Sequence, residues 1–303
     1  MRKVEEQTEF LAQVDKNLNS IYCYHDIPGQ SFFEQHSHYK GQLIYVEGGT
    51  INVETEDKIY FVPANHYIWI PLGMKHGTYS SSDDVMMRTL YFPMDREELP
   101  FYNEIGTYPV NDLLLQLLLY TKDWRGDIER FNRKLYPIVQ AIKVLLPDFS
   151  QNKVRLTLPK IKDEKLKEVT QYLSENIEKN IMLSDIAERF DINERSLHRL
   201  FKKDINLSFI KFFTLVRMYK AIDYLAQRNY NISEIYKKMG GEVVVQGKPE
   251  LDIYKEINKN IKLDKSRTVA VGDSLFHDIK GANNFKIDSI LIVKGVHKEL
   301  KNI

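Results

Sequence analysis

The sequence predicts a multidomain chain: a β-barrel or sandwich in front, an all-α middle, and a short parallel α/β segment at the end. Three observations carry that prediction. Short runs rich in Val, Ile, Tyr and Phe, each closed by turn residues, fill residues 21–93. Apolar residues then recur at helical spacing from Val110 to Gly240. Beyond Gly241 strand and helix patterns alternate.

Each element has a local reason. The candidate strands are 42–46, 50–53, 59–62, 67–70 and 86–92, parted by Gly48-Gly49, Glu56-Asp57, Ala64-Asn65 and Pro71-Leu72-Gly73. Tyr39, Tyr45, Tyr67 and Trp69 are read as core aromatics, though some can line a cavity. Leu113, Leu114, Leu117 and Leu118 make one helical stripe; Leu135, Ile138, Val139 and Ile142 make a second, which Pro147 is expected to end. Residues 148–159 read as a polar linker, and 160–240 as short amphipathic helices. The tail shows strands at 243–245, 268–271 and 289–293, with helices around 251–260 and 278–285.

A chain of 303 residues holds two or three domains, and 43% apolar residues suffice for ordinary cores. The net charge of +1 gives no sign of a polyanion partner, but its distribution does. Residues 26–98 carry a local net of about −6, whereas Arg195, Arg199, Lys202, Lys203, Lys211, Arg217 and Lys220 face only Asp204, a net of about +6. An acidic front and a basic middle suit a sensor joined to a reader of nucleic acid. Cys23 is the sole cysteine, which excludes an internal disulfide. The charged first nine residues lack a secretory apolar stretch, and no apolar run spans a bilayer. A soluble, cytoplasmic protein without membrane partners is expected.

His36-Ser37-His38 precedes a strand, with Gln42 four residues on and His76 after the Pro71-Leu72-Gly73 turn. In extended chain, residues i and i+2 point the same way, so His36 and His38 can face one interior and His76 can join them. Three imidazoles can bind a divalent metal or line an effector pocket; equally, they can hydrogen-bond internally. The span resembles a cupin, the sensing barrel found at the front of many AraC-type regulators. Cupin enzymes carry Glu where this chain has Gln42, and a neutral amide is the weaker ligand.

Met182 to Phe201 reads as two short helices about a tight turn. Ser184 is the expected N-cap with Asp185 in the first turn; Ile186, Ala187 and Phe190 form an apolar face. Asp191 takes the turn, Asn193 caps the next helix, and Leu197, Leu200 and Phe201 face inward. The opposite face offers Arg195, Ser196, His198, Arg199, Lys202 and Lys203. Such a face suits the major groove, with Arg reading guanine and the lysines meeting phosphate, or it is simply a solvated basic helix. A long helix with Arg217-Met218-Tyr219-Lys220-Ala221 and then Asn231-Ile232-Ser233-Glu234-Ile235 follow.

This order resembles the AraC/XylS DNA-binding domain: one helix-turn-helix, a connecting helix, and the first half of a second helix-turn-helix. The resemblance implies a DNA-binding transcription regulator that answers a small-molecule effector, with Val110–Leu146 as a region for homodimer formation. The chain departs from it at Gly240-Gly241, where no second basic recognition helix follows. Ile232, Ile235 and Met239 are expected to lose the helix that would cover them.

The tail places Asp273 at a strand end, Asp278 in the next turn and Lys248 before a helix. That arrangement can hold Mg²⁺ weakly and resembles the Rossmann-like C-terminal third of haloacid-dehalogenase-like phosphatases. Those enzymes need an Asp-x-Asp at an earlier strand end, and none is present upstream. No catalytic residue is assigned, and a phosphatase is the disfavoured alternative. The expected layout is a cupin-like barrel over 1–100, helical linker over 101–159, AraC-type DNA-binding domain over 160–241, and phosphatase-like fragment over 242–303. Its junction reads as a gene fusion.

Overall fold

In the computed structural model we describe residues 2–27, 32–80, 84–94, 99–227, 229–241 and 247–292. The expected strand at 243–245, the end of that at 289–293, and the charges at Asp83 and 95–98 lie outside them. The chain divides into two compact units, Met1–Gly241 and Glu242–Ile303.

The first unit opens with helix α1 (Arg2–Asp15) and then strands β1 (Ile21–Asp26), β2 (Phe32–His36), β3 (Gly41–Glu47), β4 (Thr50–Glu54), β5 (Lys58–Pro63), β6 (His66–Ile70), β7 (His76–Ser80) and β8 (Met86–Phe92). Further on come β9 (Gly106–Pro109), α2 (Asp112–Tyr120), β10 (Gly126–Ile128), α3 (Tyr136–Phe149) and β11 (Thr157–Pro159). They make a six-stranded sheet, β10-β1-β8-β3-β6-β9, and a five-stranded sheet, β11-β5-β4-β7-β2. Gly48 and Gly49 both adopt positive φ in the β3–β4 hairpin, the conformation a tight hairpin turn demands.

Strand β3 is buried along nearly its whole length because its sheet is covered on both faces. Ile44, Val46, Ile68 and Ile70 meet Ile51, Val53 and Val62 of the other sheet. Leu43, Tyr45, Tyr67 and Trp69 pack on the far side against Leu114 and Leu118 of α2 and Val139, Ile142 and Leu146 of α3. Tyr45, Tyr67 and Trp69 are therefore core, as read; Tyr39 is not, being 71% exposed in the loop before β3.

Two expectations need correction. Pro147 does not end its helix: α3 runs on to Phe149. Proline removes the N–H that Lys143's carbonyl would accept, and the Tyr102 hydroxyl donates to that carbonyl instead, at 2.6 Å. Residues 148–159 are also not a free linker. Val154 donates to Thr107 O at 2.8 Å, and β11 pairs antiparallel with β5. Hydrogen bonding by the backbone, invisible in composition, decided both.

His25 is buried beneath α2, and its Nε2 donates to Thr121 O at 2.8 Å. Its Nδ1 has no partner. Burial, above all, pushes its pKa down to about 4. The folded form thus holds His25 neutral while the unfolded chain protonates near pH 6.5. Its contribution to stability is present above pH 6.5 and drains away as the pH falls towards 4, reaching about 2 kcal/mol lost at pH 5. His25→Gln, which keeps a donor but cannot titrate, is expected to flatten the fall in Tm across this range. An unchanged acid profile refutes the assignment.

The all-α part contains α4 (Glu164–Glu175), α5 (Leu183–Arg189), α6 (Glu194–Leu200), a π-helical turn (Phe201–Ile205), α7 (Phe209–Gln227) and α8 (Ile232–Lys238). Leu166, Val169, Ile186, Leu197, Phe201 and Phe212 share one core. The second unit, taken alone, has α9 (Leu251–Ile261), β12 (Val269–Gly272), α10 (Lys280–Phe285) and β13 (Asp288–Leu291), with β12 and β13 parallel. Tyr254, Ala282, Phe285 and Ile287 form its core.

Candidate nucleic-acid interface and histidine cluster

Helix α5 begins earlier than read. Met182 is its N-cap and Ser184 lies inside the helix, because the Asp185 carboxylate accepts from the Met182 N–H at 2.8 Å and fixes the first turn there. The turn is as expected: Asp191 has φ 50°, and the Asn193 side chain accepts from Arg195 N at 2.9 Å. Leu197 and Phe201 are fully buried and Leu200 half-buried, so α6 can rotate only at the cost of its core contacts. That fixes the other face outward. Arg195, His198, Arg199, Lys202 and Lys203 are exposed and Ser196 half-exposed, and the Arg199 guanidinium lies 3.5 Å from Ser196 Oγ.

The π turn continues the cationic face past α6 and closes at Asn206, φ 58°. Asp204 ties that end down by accepting from Lys162 N at 2.8 Å and Asp163 N at 3.3 Å, beside the start of α4. Not every cation of this basic stretch joins that exposed face. Arg217 donates to Ile177 O at 2.8 Å and Lys179 O at 2.6 Å and lies over the Phe213 ring. Lys220 pairs with buried Asp223 at 3.0 Å. Those two hold α7 in place instead.

Among the described residues, the second motif has one helix. Asn231 caps α8, and Gly240, at φ 81°, ends it. The expectation that three apolar residues lose their cover holds only for Ile232, which is 78% exposed. Ile235 is buried, and Met239 packs on the core shared with Leu197, because α8 folds back along α7.

The three histidines converge. The β2–β7 register sets His36 opposite His76, and Gly73 N donates to His38 O at 2.9 Å, drawing the Pro71-Leu72-Gly73 turn over them. One ligand nitrogen from each lies within 4.8 Å of the others. Each Nδ1 donates to a backbone carbonyl: His36 to Glu34 at 2.7 Å, His38 to Lys40 at 2.7 Å, His76 to Met74 at 2.8 Å. A neutral imidazole protonated at Nδ1 keeps its lone pair on Nε2, so the fold locks one tautomer three times. Burial holds all three below the usual imidazole range, His76 at about 3 with the other two imidazoles adding to the effect.

Gln42 completes the cluster. Its Oε1 lies 3.0 Å from both His38 Nε2 and His76 Nε2, and its Nε2 donates to the Tyr91 hydroxyl at 2.9 Å. Three bare acceptor atoms thus face one space. A cation satisfies them in this arrangement; without one, turning the amide over does so, with NH₂ towards the imidazoles and oxygen towards Tyr91. Three imidazoles and an amide suit a transition ion such as Zn²⁺ better than Mg²⁺. Tyr91, 49 residues from Gln42, went unnoticed in the sequence; only the β3–β8 pairing brings it here.

Two segments of the first unit match families of known proteins. Residues 18–104 match the AraC-like ligand binding domain, and residues 186–240 match a helix-turn-helix domain. The two occur in the order that places a sensor before a reader. Over these segments the chain is similar to AraC-type transcription regulators. Among curated proteins, the chain is 25% identical to the HTH-type transcriptional regulator NimR of Escherichia coli over 188 residues, 62% of this chain and 67% of NimR. It is 27% identical to the lactose operon transcription activator of Staphylococcus xylosus over 35% of this chain and 36% of that protein. It is 32% identical to the regulator YfiF of Bacillus subtilis over 26% of this chain and 25% of YfiF. Against these last two it spans well under two thirds of their length.

The tail, residues 245–302, matches a HAD-hydrolase-like family. There the Lys248 ammonium donates to Asp278 Oδ1 at 2.6 Å, and Ser274 N donates to Asp278 Oδ2 at 3.1 Å. That hydrogen bond from Lys248 lowers the Asp278 carboxyl and raises the Lys248 ammonium. Asp273 follows β12 directly and adds a smaller electrostatic pull on Lys248. The pair neutralises itself, and no Asp-x-Asp lies upstream to serve as nucleophile. No helix of the described residues is long and apolar enough to cross a membrane.

Proposed function

We propose that this chain is an effector-responsive transcription regulator that reads duplex DNA with one recognition helix, α6 and its π-turn extension. The observation that carries the reading is the exposed row Arg195, Arg199, Lys202 and Lys203 on a helix whose other face is locked by Leu197 and Phe201. Arg195 and Arg199 are suited by their chemistry to read bases, and the lysines to meet phosphates. The front domain is a cupin-type barrel that holds the sensor, the α2–α3 region is where two copies meet, and the tail is a non-catalytic remnant. Lacking the second recognition helix, the protein forfeits a set of phosphate contacts, and each lost contact lowers the salt dependence of binding by about one.

Fluorescence anisotropy against duplex DNA from upstream of its own gene, beside a scrambled duplex and across a salt series, tests this. Preference for the upstream duplex supports the reading. Equal, salt-steep binding to both removes the sequence specificity, and no binding to either removes the function.

The locked histidine tautomers favour a second role for the front domain. His36, His38 and His76, with Gln42 Oε1, are suited to hold one divalent transition ion such as Zn²⁺. Titration of the metal-stripped full chain is expected to show one Zn²⁺ per chain, weakened more than about 100-fold in His38→Ala and in His76→Ala. Equal affinity in wild type and both variants overturns the assignment.

A further inference from the structure

Between the sheet-rich domain and the helical domain of the first unit lies a crevice of about 510 Å³, within the size range of small-molecule sites. One wall is the outer face of the five-stranded sheet, with Ile59 and Phe61 of β5 and Leu158 of β11. The other is α7, with Phe212, Val216 and Tyr219, and Ser174 of α4 stands at its edge. This space is distinct from the histidine cluster, none of whose residues line it.

The walls are joined across the crevice. Phe61 stacks on Tyr219 with centroids 4.9 Å apart and planes at 12°, and Tyr219 Oη donates to Thr157 O at 3.1 Å. Thr50 Oγ1 donates to the buried Asp223 carboxylate at 2.9 Å. Phe212 lines the crevice and also lies 5.7 Å from Phe201, which ends the recognition helix. Whatever fills the space presses on both domains and, through one side chain, on the core of the DNA reader.

Its charges are already matched. Lys160 pairs with Glu54 at 2.5 Å, Lys220 with Asp223 at 3.0 Å and Lys167 with Glu164 at 2.6 Å. A charged ligand competes with one of these part-exposed pairs for its partner, whereas an uncharged one leaves them intact and meets the apolar walls. We propose that this crevice binds an uncharged, largely apolar molecule of one or two rings, and that occupancy is felt by the recognition helix. The second half rests on the DNA-reading function proposed above; the binding itself does not.

The test uses the full chain and the uncharged two-ring dye N-phenyl-1-naphthylamine. Saturable binding of one dye per chain is expected, weakened at least about tenfold by Val216→Trp and by Ser174→Trp, which fill the crevice from its wall and its exposed edge. Ser174→Trp guards against a misfolded core, since that position is solvent-facing, and circular dichroism confirms both folds. Dye binding unaltered in both folded variants overturns the site. In the anisotropy assay, saturating dye is expected to change DNA affinity at least about threefold in wild type and not in Ser174→Trp. Unchanged DNA affinity with dye bound overturns the coupling. A protein that binds dye but no DNA condemns the regulator reading and leaves the site standing.

Discussion

A protein carrying alanine at Arg195, Arg199, Lys202 and Lys203 together is expected to bind duplex DNA at least about 100-fold more weakly than wild type at physiological salt. All four side chains are exposed, and none is a core member. Alanine is the strongest helix former, so α6 keeps its fold and the loss reports on contact alone. The log–log salt dependence is expected to flatten by about three to four as four cations cease to displace counterions. Arg217→Ala makes the instructive contrast. It also removes a cation from the basic stretch, but it strips hydrogen bonds from Ile177 O and Lys179 O, so its effect is expected in stability first. Affinity of the fourfold variant within about threefold of wild type, with intact circular dichroism, rules out α6 as the DNA contact.

The second large effect concerns folding. Phe201→Ala is expected to cost about 3–5 kcal/mol, enough to unfold the helical domain on its own. Phe201 is fully buried, edge-on to Phe209 at 5.8 Å and tilted on Phe212 at 5.7 Å. It sits where α6 passes into the π turn, so the cavity opens under α6 itself. Urea unfolding followed by far-ultraviolet circular dichroism is expected to show an early transition that loses helix while the β signal persists. A single transition with an unshifted midpoint contradicts the assigned packing.

Much of the site was legible before any coordinates. The HTH turn could be read because each residue there answers a local demand: Asp191 for a left-handed backbone, Asn193 for exposed N–H groups, Leu197 and Phe201 for one buried stripe. The histidine cluster was legible for a similar reason, since His36 and His38 share a side of extended chain. What made His76 join them was a cross-strand register, and register is set by pairing between distant segments. Ser184 misled as a cap because a carboxylate one residue on competed for the same helix start and won.

By itself the sequence determined the order of the modules, the outward cationic row and the end of the second motif at Gly240. These are short-range facts of spacing, capping and charge. Tertiary structure decided the rest. It alone placed Tyr102 against the Lys143 carbonyl, Tyr91 beside Gln42 and Asp223 against Thr50, partners 41, 49 and 173 residues apart. It also took Arg217 out of the exposed cationic row and joined 157–159 to a sheet. The physical reason is common to all: a buried polar group must find a partner wherever the folded chain supplies one, and sequence distance does not limit that choice.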